Sequence, residues 1–124
     1  MCKRVKIMLQ VTWSDVDDWI DQVTIRYAGK HLSGVYGIPR GGTVLAIMLS
    51  HAMDIPCLSA PCKNCLIVDD ISDTGITLKH YHEKGYQIAT MYSTDNTEVI
   101  PDFSMFMKKD DWIVFPWERT RNDS

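Results

Sequence analysis

The sequence predicts an α/β protein with a mainly parallel central sheet flanked by helices, and three observations carry that expectation. Apolar stripes at helical spacing alternate along the chain with short apolar, β-rich runs. The run Cys65-Leu66-Ile67-Val68 has no polar face, as expected of a strand covered on both sides. Two unusual turns, Pro39–Gly42 and Asp69–Thr77, each follow a strand-like run and open a helix-like one.

The elements can be justified in order. Residues 4–12 suit an extended entry segment. Ser14 then opens a helix, with Asp17 three residues on as a variant of the capping box. Val16, Trp19, Ile20, Val23 and Tyr27 share one face of it, a core stripe rather than a cofactor site, and Gly29 marks its end. A short strand follows from Gly34 to Ile38. Thr43 to Met53 is apolar on almost every side and reads as a buried helix. Ile55 to Leu58 suits a brief strand, and Cys65 to Val68 a stronger one that stops at Asp69-Asp70. Ile76 to Lys84 is helical until Gly85, and Gln87 to Ser93 is β-rich. Phe103 to Met107 and Trp112 to Phe115 are shorter strand candidates, and Arg119 to Ser124 is a polar tail expected to fray.

At 124 residues the chain supports one domain, 1–124, with no internal repeat or low-complexity linker. Its 45% hydrophobic and 23% charged residues are those of an ordinary globular protein. A net charge of −3 excludes a general nucleic-acid binder and leaves room only for a local basic patch. No apolar run approaches the roughly 20 residues of a membrane span. The basic start Met1–Lys6 is followed by too few apolar residues for a signal peptide, so a cytoplasmic protein is expected. Cys2, Cys57, Cys62 and Cys65 are then expected as free thiols.

Parallel sheets bind ligands at the carboxyl ends of their strands, which is where both unusual turns fall. In Asp69-Asp70-Ile71-Ser72-Asp73-Thr74-Gly75-Ile76-Thr77, a buried strand delivers two carboxylates to its tip. A hydroxyl-rich loop with one glycine then opens a helix. The loop amides, backed by the helix dipole, make an anion site suited to phosphate. Thr74 and Thr77 add hydroxyls, and Gly75 admits close backbone approach. Asp69 and Asp70 suit sugar hydroxyls or a hard cation such as Mg²⁺. Together these describe a phosphorylated sugar bound with magnesium. Helix capping alone needs one carboxylate, not three.

This stretch resembles the phosphoribosyl pyrophosphate (PRPP) signature of the type I phosphoribosyltransferases. Ile38-Pro39-Arg40-Gly41-Gly42 is similar to that family's pyrophosphate loop. Asp111-Trp112-Ile113-Val114-Phe115-Pro116-Trp117-Glu118 resembles the base-binding region of its bacterial xanthine–guanine branch, and Val11-Thr12-Trp13 the opening of that branch. The resemblance implies a type I phosphoribosyltransferase-like fold and transfer of a phosphoribosyl group from PRPP to a purine nucleobase. Asp69 and Asp70 would hold the ribose hydroxyls, with Asp70 near Mg²⁺. Asp73, Thr74, Gly75, Ile76 and Thr77 would bind the 5′-phosphate. Asp73 would also face N7 of the base as general base. Arg40, Gly41 and Gly42 would take the pyrophosphate, and Trp112 would stack on the purine, with Ile113 and Thr94 beside it. A homo-oligomer is expected, with apolar residues near Phe103 to Met107 as a candidate face.

Two departures from the family pattern are visible. Family enzymes carry a long flexible hood before the PRPP motif, whereas only Cys57 to Asn64 separates Pro56 from Cys65 here. A shortened or absent hood exposes the reacting groups to water, and the alternative is a PRPP- or nucleotide-binding module with weak turnover. The xanthine–guanine branch also places a lysine where Thr94 falls, so charge toward an exocyclic oxygen of the base is missing. Within the short link, Cys62-Lys63-Asn64-Cys65 has too few local partners for a structural zinc. His80 and His82, two apart on one helix, face different sides.

Overall fold

The computed structural model describes residues 8–108 and 112–118. In chain order these form β1 (Met8–Gln10), α1 (Trp13–Arg26), β2 (Val35–Gly37), α2 (Gly41–Met53), β3 (Leu66–Ser72), α3 (Ile76–Glu83), β4 (Gln87–Thr94), β5 (Phe103–Lys108) and β6 (Trp112–Val114). Arg4–Ile7, Cys2, Asp111 and the tail Arg119–Ser124 lie outside the described residues.

The central sheet runs β2-β3-β4-β5, every neighbouring pair parallel, which is the expected architecture. Alternation along β3 divides two cores. Leu66 and Val68 face a larger core, which they share with the α1 stripe, Leu45, Ala46 and Leu49 of α2, and Met91. Ile67 faces the other side, against Leu78 of α3, Ile88 and Val99. The whole α1 stripe is buried, and Trp19 Nε1 donates to the Thr90 carbonyl at 2.8 Å, which fastens α1 to β4. A second, two-stranded sheet pairs β1 with β6 in parallel.

Several boundaries differ from expectation, each for a physical reason. The α1 cap is Thr12 with Asp15, not Ser14 with Asp17. Thr12 Oγ1 accepts the Asp15 amide at 3.1 Å, and Asp15 Oδ2 accepts the Thr12 amide at 2.9 Å. The helix α2 begins at Gly41 rather than Thr43, because its glycines pack in place of hinging. A Cβ on Gly42 would strike the Val68 carbonyl, and one on Gly37 would strike the backbone of Gly42. Nor is α2 buried on every side, since Ile47 is 57% exposed. Ile55 to Leu58 contributes only an isolated bridge, Val35 to Cys57. The strand β3 does not stop at the carboxylates. Its backbone keeps pairing with β4 through Asp69–Thr90, Ile71–Tyr92 and Ser72–Ser93, because a carboxylate on the side chain leaves the ladder intact.

Parallel neighbours usually need a helical crossover. Residues 95–102 return from β4 to β5 without one. Val99 instead plugs the second core, and Asp102 Oδ2 accepts the Ile88 amide at 2.8 Å. Of the apolar stretch suggested as an oligomer face, Phe103, Met105 and Phe106 pack against the larger core, leaving Met107 exposed.

Candidate active site

A cleft of about 320 Å³ opens where β2 and β3 end, on the side predicted for ligands. Pro39, Arg40 and Gly41 form one wall, Asp69 and Asp70 the middle, and Asp73, Thr74, Gly75 and Thr77 the opposite wall. The Ile38 amide donates to the Val68 carbonyl at 2.9 Å, so the first wall is hung on β3 itself. The Pro39–Arg40 peptide bond is cis. Gly41 lies so near the acid pair that a Cβ on it would overlap Asp70 Oδ2. Glycine lets that backbone face the carboxylates directly, and a larger residue would require the Asp70 carboxylate to move.

The acid pair is electrostatically uneven. Asp69 Oδ1 accepts the Asp70 amide at 2.8 Å. Burial, then the Asp70 charge, pushes the Asp69 carboxyl up to about 8. Partial burial and the charge of Asp70 also raise Glu118, so the segment after β6 comes within reach of the pair's field.

The opposite wall is held from behind by groups that no motif announces. Gly75 adopts φ +84, and a Cβ there would meet Thr97 Oγ1 at 2.6 Å and the Val99 amide nitrogen at 2.7 Å. The Glu98 amide donates to the Thr74 carbonyl at 2.9 Å. Ser72 Oγ and Thr97 Oγ1 are 2.7 Å apart, and Ser72 also donates to the Val99 carbonyl. Thr94 Oγ1 donates to the Asp73 carbonyl at 2.5 Å. Thr74 Oγ1 accepts the Ile76 amide at 3.3 Å at the start of α3. The helix-less return between β4 and β5 is therefore the splint of this loop.

The cleft brings together Arg40, Gly41, Asp69, Asp70, Asp73, Thr74, Gly75 and Thr77, and leaves out the other expected site residues. Gly42 is buried beneath the loop, and the Ile76 side chain is 70% exposed. Thr94 is buried and spends its hydroxyl on the loop backbone. Trp112 is 59% exposed on β6, not a core tryptophan, while Ile113 packs against the larger core. Among the described residues no group of three or more His, Cys, Asp or Glu is arranged to hold a metal on its own. Sequence reasoning missed Thr97 and Glu98 and gave no role to Ser72 and Glu118, although both stand in the quoted motifs. All four act through contacts distant in sequence, which local spacing does not reveal.

No family model matches the chain. A solved purine phosphoribosyltransferase from Pyrococcus horikoshii is 30% identical, superposes with a TM-score of 0.80, and is matched over 94% of this chain and 98% of that one. The chain belongs to the purine phosphoribosyltransferases. A xanthine-guanine phosphoribosyltransferase of Nitratidesulfovibrio vulgaris is 25% identical over 93% of this chain and 87% of its own length. The Helicobacter pylori xanthine-guanine-hypoxanthine phosphoribosyltransferase, 19% identical with a TM-score of 0.68, shares the fold over 90% of this chain. As a phosphoribosyltransferase the chain is compact. Between α2 and β3 the described residues hold no helix or strand beyond the bridge at Cys57, consistent with a reduced hood. No helix among the described residues is long and apolar enough to cross a membrane.

The raised Asp69 has a testable consequence. Between about pH 4 and pH 8 the folded protein keeps a proton that the unfolded chain has released, so stability falls as pH rises through that window. Asp69→Asn keeps an acceptor for the Asp70 amide and removes the buried charge. It is expected to stabilise the unliganded protein by about 2 kcal/mol at pH 8, roughly 8 °C in Tm, with the gain vanishing toward pH 4. Melting curves across that range check it. A gain independent of pH would show that Asp69 is not the group titrating.

Proposed function

We propose that this chain transfers the phosphoribosyl group of PRPP to a ring nitrogen of a purine base and releases pyrophosphate. The observation that supports the reading is the cleft in which Arg40 and Gly41 stand opposite Asp73–Thr77 with Asp69 and Asp70 between them. That set of groups suits one ligand carrying a 5′-phosphate at one end and a diphosphate at the other.

In this reading the amides and hydroxyls of Asp73–Thr77 hold the 5′-phosphate at the N-terminus of α3. Asp69 and Asp70 accept hydrogen bonds from the ribose hydroxyls. Arg40 donates its guanidinium fork to the departing pyrophosphate, assisted by the Gly41 and Gly42 amides. Asp73 accepts the proton from the purine as its nitrogen attacks the oxocarbenium-like ribose carbon. Positioning and electrostatic stabilisation then carry the reaction, and no covalent nucleophile is needed. The oxygen donors of Asp69 and Asp70 fit Mg²⁺, which is commonly held by one or two carboxylates together with substrate phosphates. When bound it would offset charge on the diphosphate. Trp112 is open to stack on a base, with Ile113 beneath it, and Thr94 would act by holding Asp73. We place the protein in the cytoplasm as a homo-oligomer of single-domain chains, acting on small molecules and not on nucleic acid or membranes.

The reduced link between α2 and β3 favours a second reading, a PRPP- or nucleotide-binding module with weak turnover. A PRPP- and Mg²⁺-dependent assay over guanine, xanthine, hypoxanthine, adenine and uracil separates them. Pyrophosphate release that depends on a purine supports the enzyme. PRPP binding without conversion of any base leaves the module, and no binding of PRPP with Mg²⁺ rejects both.

A further inference from the structure

The sheet end opposite the cleft carries chemistry that phosphoribosyl transfer does not use. In Cys62-Lys63-Asn64-Cys65 the Cys65 amide donates to the Cys62 carbonyl at 3.2 Å, closing a tight turn, and Asn64 supplies the positive φ of 65° inside it. Such a turn holds its first and fourth Cα atoms within about 7 Å, and disulfides span roughly 4.4–6.8 Å. The two thiols also feel one another. Burial raises the Cys65 thiol first, a hydrogen bond from the Cys62 backbone offsets part of the rise, and the charge and side-chain hydrogen bond of Cys62 raise it again.

The pair has a clear division of labour. Cys62 is exposed and Cys65 is 1% exposed at the foot of β3. Ser33 Oγ donates to the Lys63 carbonyl at 2.6 Å, so at its 3.4 Å contact with Cys62 Sγ the thiol is the donor. Around the turn, Lys30, His31, Lys63, Lys84 and Cys65 line a cleft of about 800 Å³ that no carboxylate lines. Among the described residues none of these three lysines takes part in an ion pair. In a chain of net charge −3, this is a local positive field.

We infer that Cys62 and Cys65 form a reversible intrachain disulfide by exchange with a small acidic disulfide attracted to the Lys30, Lys63 and Lys84 cleft. The Cys62 thiolate attacks one sulfur of that disulfide, breaking its S–S bond and expelling the first thiolate. The Cys65 sulfur, its proton passing to solvent, attacks Cys62 Sγ and expels the second. The protein loses two electrons and two protons. One small disulfide becomes two thiols.

The test equilibrates the full chain with mixtures of oxidised and reduced glutathione, then alkylates free thiols and maps them by mass spectrometry. Cys62 and Cys65 are expected to escape alkylation together, in a peptide lighter by two hydrogens, with Cys2 and Cys57 modified and dithiothreitol reversing the change. Cys62→Ser, at an exposed position, should abolish the linkage with an unchanged circular dichroism spectrum. Oxidation by glutathione disulfide should be roughly threefold or more faster than by the basic disulfide cystamine, with the difference lost in high salt. Pairing of Cys62 with Cys2 or Cys57, glutathione retained on Cys62 beside an alkylated Cys65, or no oxidation at all would overturn the site. Equal rates with the two oxidants would overturn the role of the lysines.

Discussion

Asp73→Asn is expected to lower kcat by about 100-fold or more while PRPP affinity stays within roughly threefold of the parent, given the usual 10²–10⁴-fold worth of a positioned general base. The asymmetry follows from how the loop is built. The backbone of residue 73 is held by Thr94 and the loop beyond it by Thr97 and Glu98, and none of these bonds uses the Asp73 carboxylate as acceptor. Asparagine leaves these backbone bonds in place. In the proposed mechanism it lacks the group that accepts a proton from the purine. Steady-state kinetics with a purine, beside PRPP titration without one, separates the two quantities. A matching fall in PRPP affinity would mean that the carboxylate binds substrate and leaves the base elsewhere.

Gly37→Ala is expected to lower stability by about 3 kcal/mol or more, at the upper end of what overpacking costs. The added methyl would overlap the Gly42 carbonyl and lie 2.7 Å from Thr43 Cα, so β2 and the first turn of α2 would have to part. The opponents are backbone atoms in two packed elements, and neither can swing aside. Against a typical total of about 5–15 kcal/mol, such a loss empties much of the margin. Gly29 supplies the control. It sits at φ +79 with nothing within 4 Å of a built Cβ, so Gly29→Ala should cost only about 1 kcal/mol, from backbone conformation alone. Urea denaturation midpoints of the two variants decide the matter. Equal midpoints would mean that the Gly37–Gly42 contact relaxes freely.

What the sequence made legible was whatever is encoded within a few residues. The α1 stripe from Val16 to Tyr27 is a local period, and every member is buried. The phosphate loop and its acid pair are contiguous, so residue types and spacing suffice to propose them. Where a decision belongs to distant partners, local reading slips. Thr12–Asp15 and Ser14–Asp17 offer the same hydroxyl-and-acid spacing. The choice is made by the Val11 amide, which donates to the Val114 carbonyl at 2.8 Å and keeps the chain extended up to Thr12. The end of β3 was misread because carboxylates suggest a strand tip, whereas β4 carries the ladder on to Ser72. Thr94 is expected beside the base from the resemblance, yet it is buried and its hydroxyl turns to the loop, where the Asp73 carbonyl accepts it.

The order of the central sheet follows the order of the chain, so each of its pairings closes a loop between consecutive strands. The β1–β6 pair is different: Met8 meets Trp112 across nearly the whole sequence. Loop-closure entropy grows with the length enclosed, and contacts distant in sequence slow folding. The central sheet and the β1–β6 pair therefore mature on separate schedules. The cleft, lined from the ends of β2 and β3 and the start of α3, can organise as soon as the central strands pair. The β1–β6 pair that carries Trp112 waits for the last and longest closure, so Trp112 takes its place after the cleft has formed.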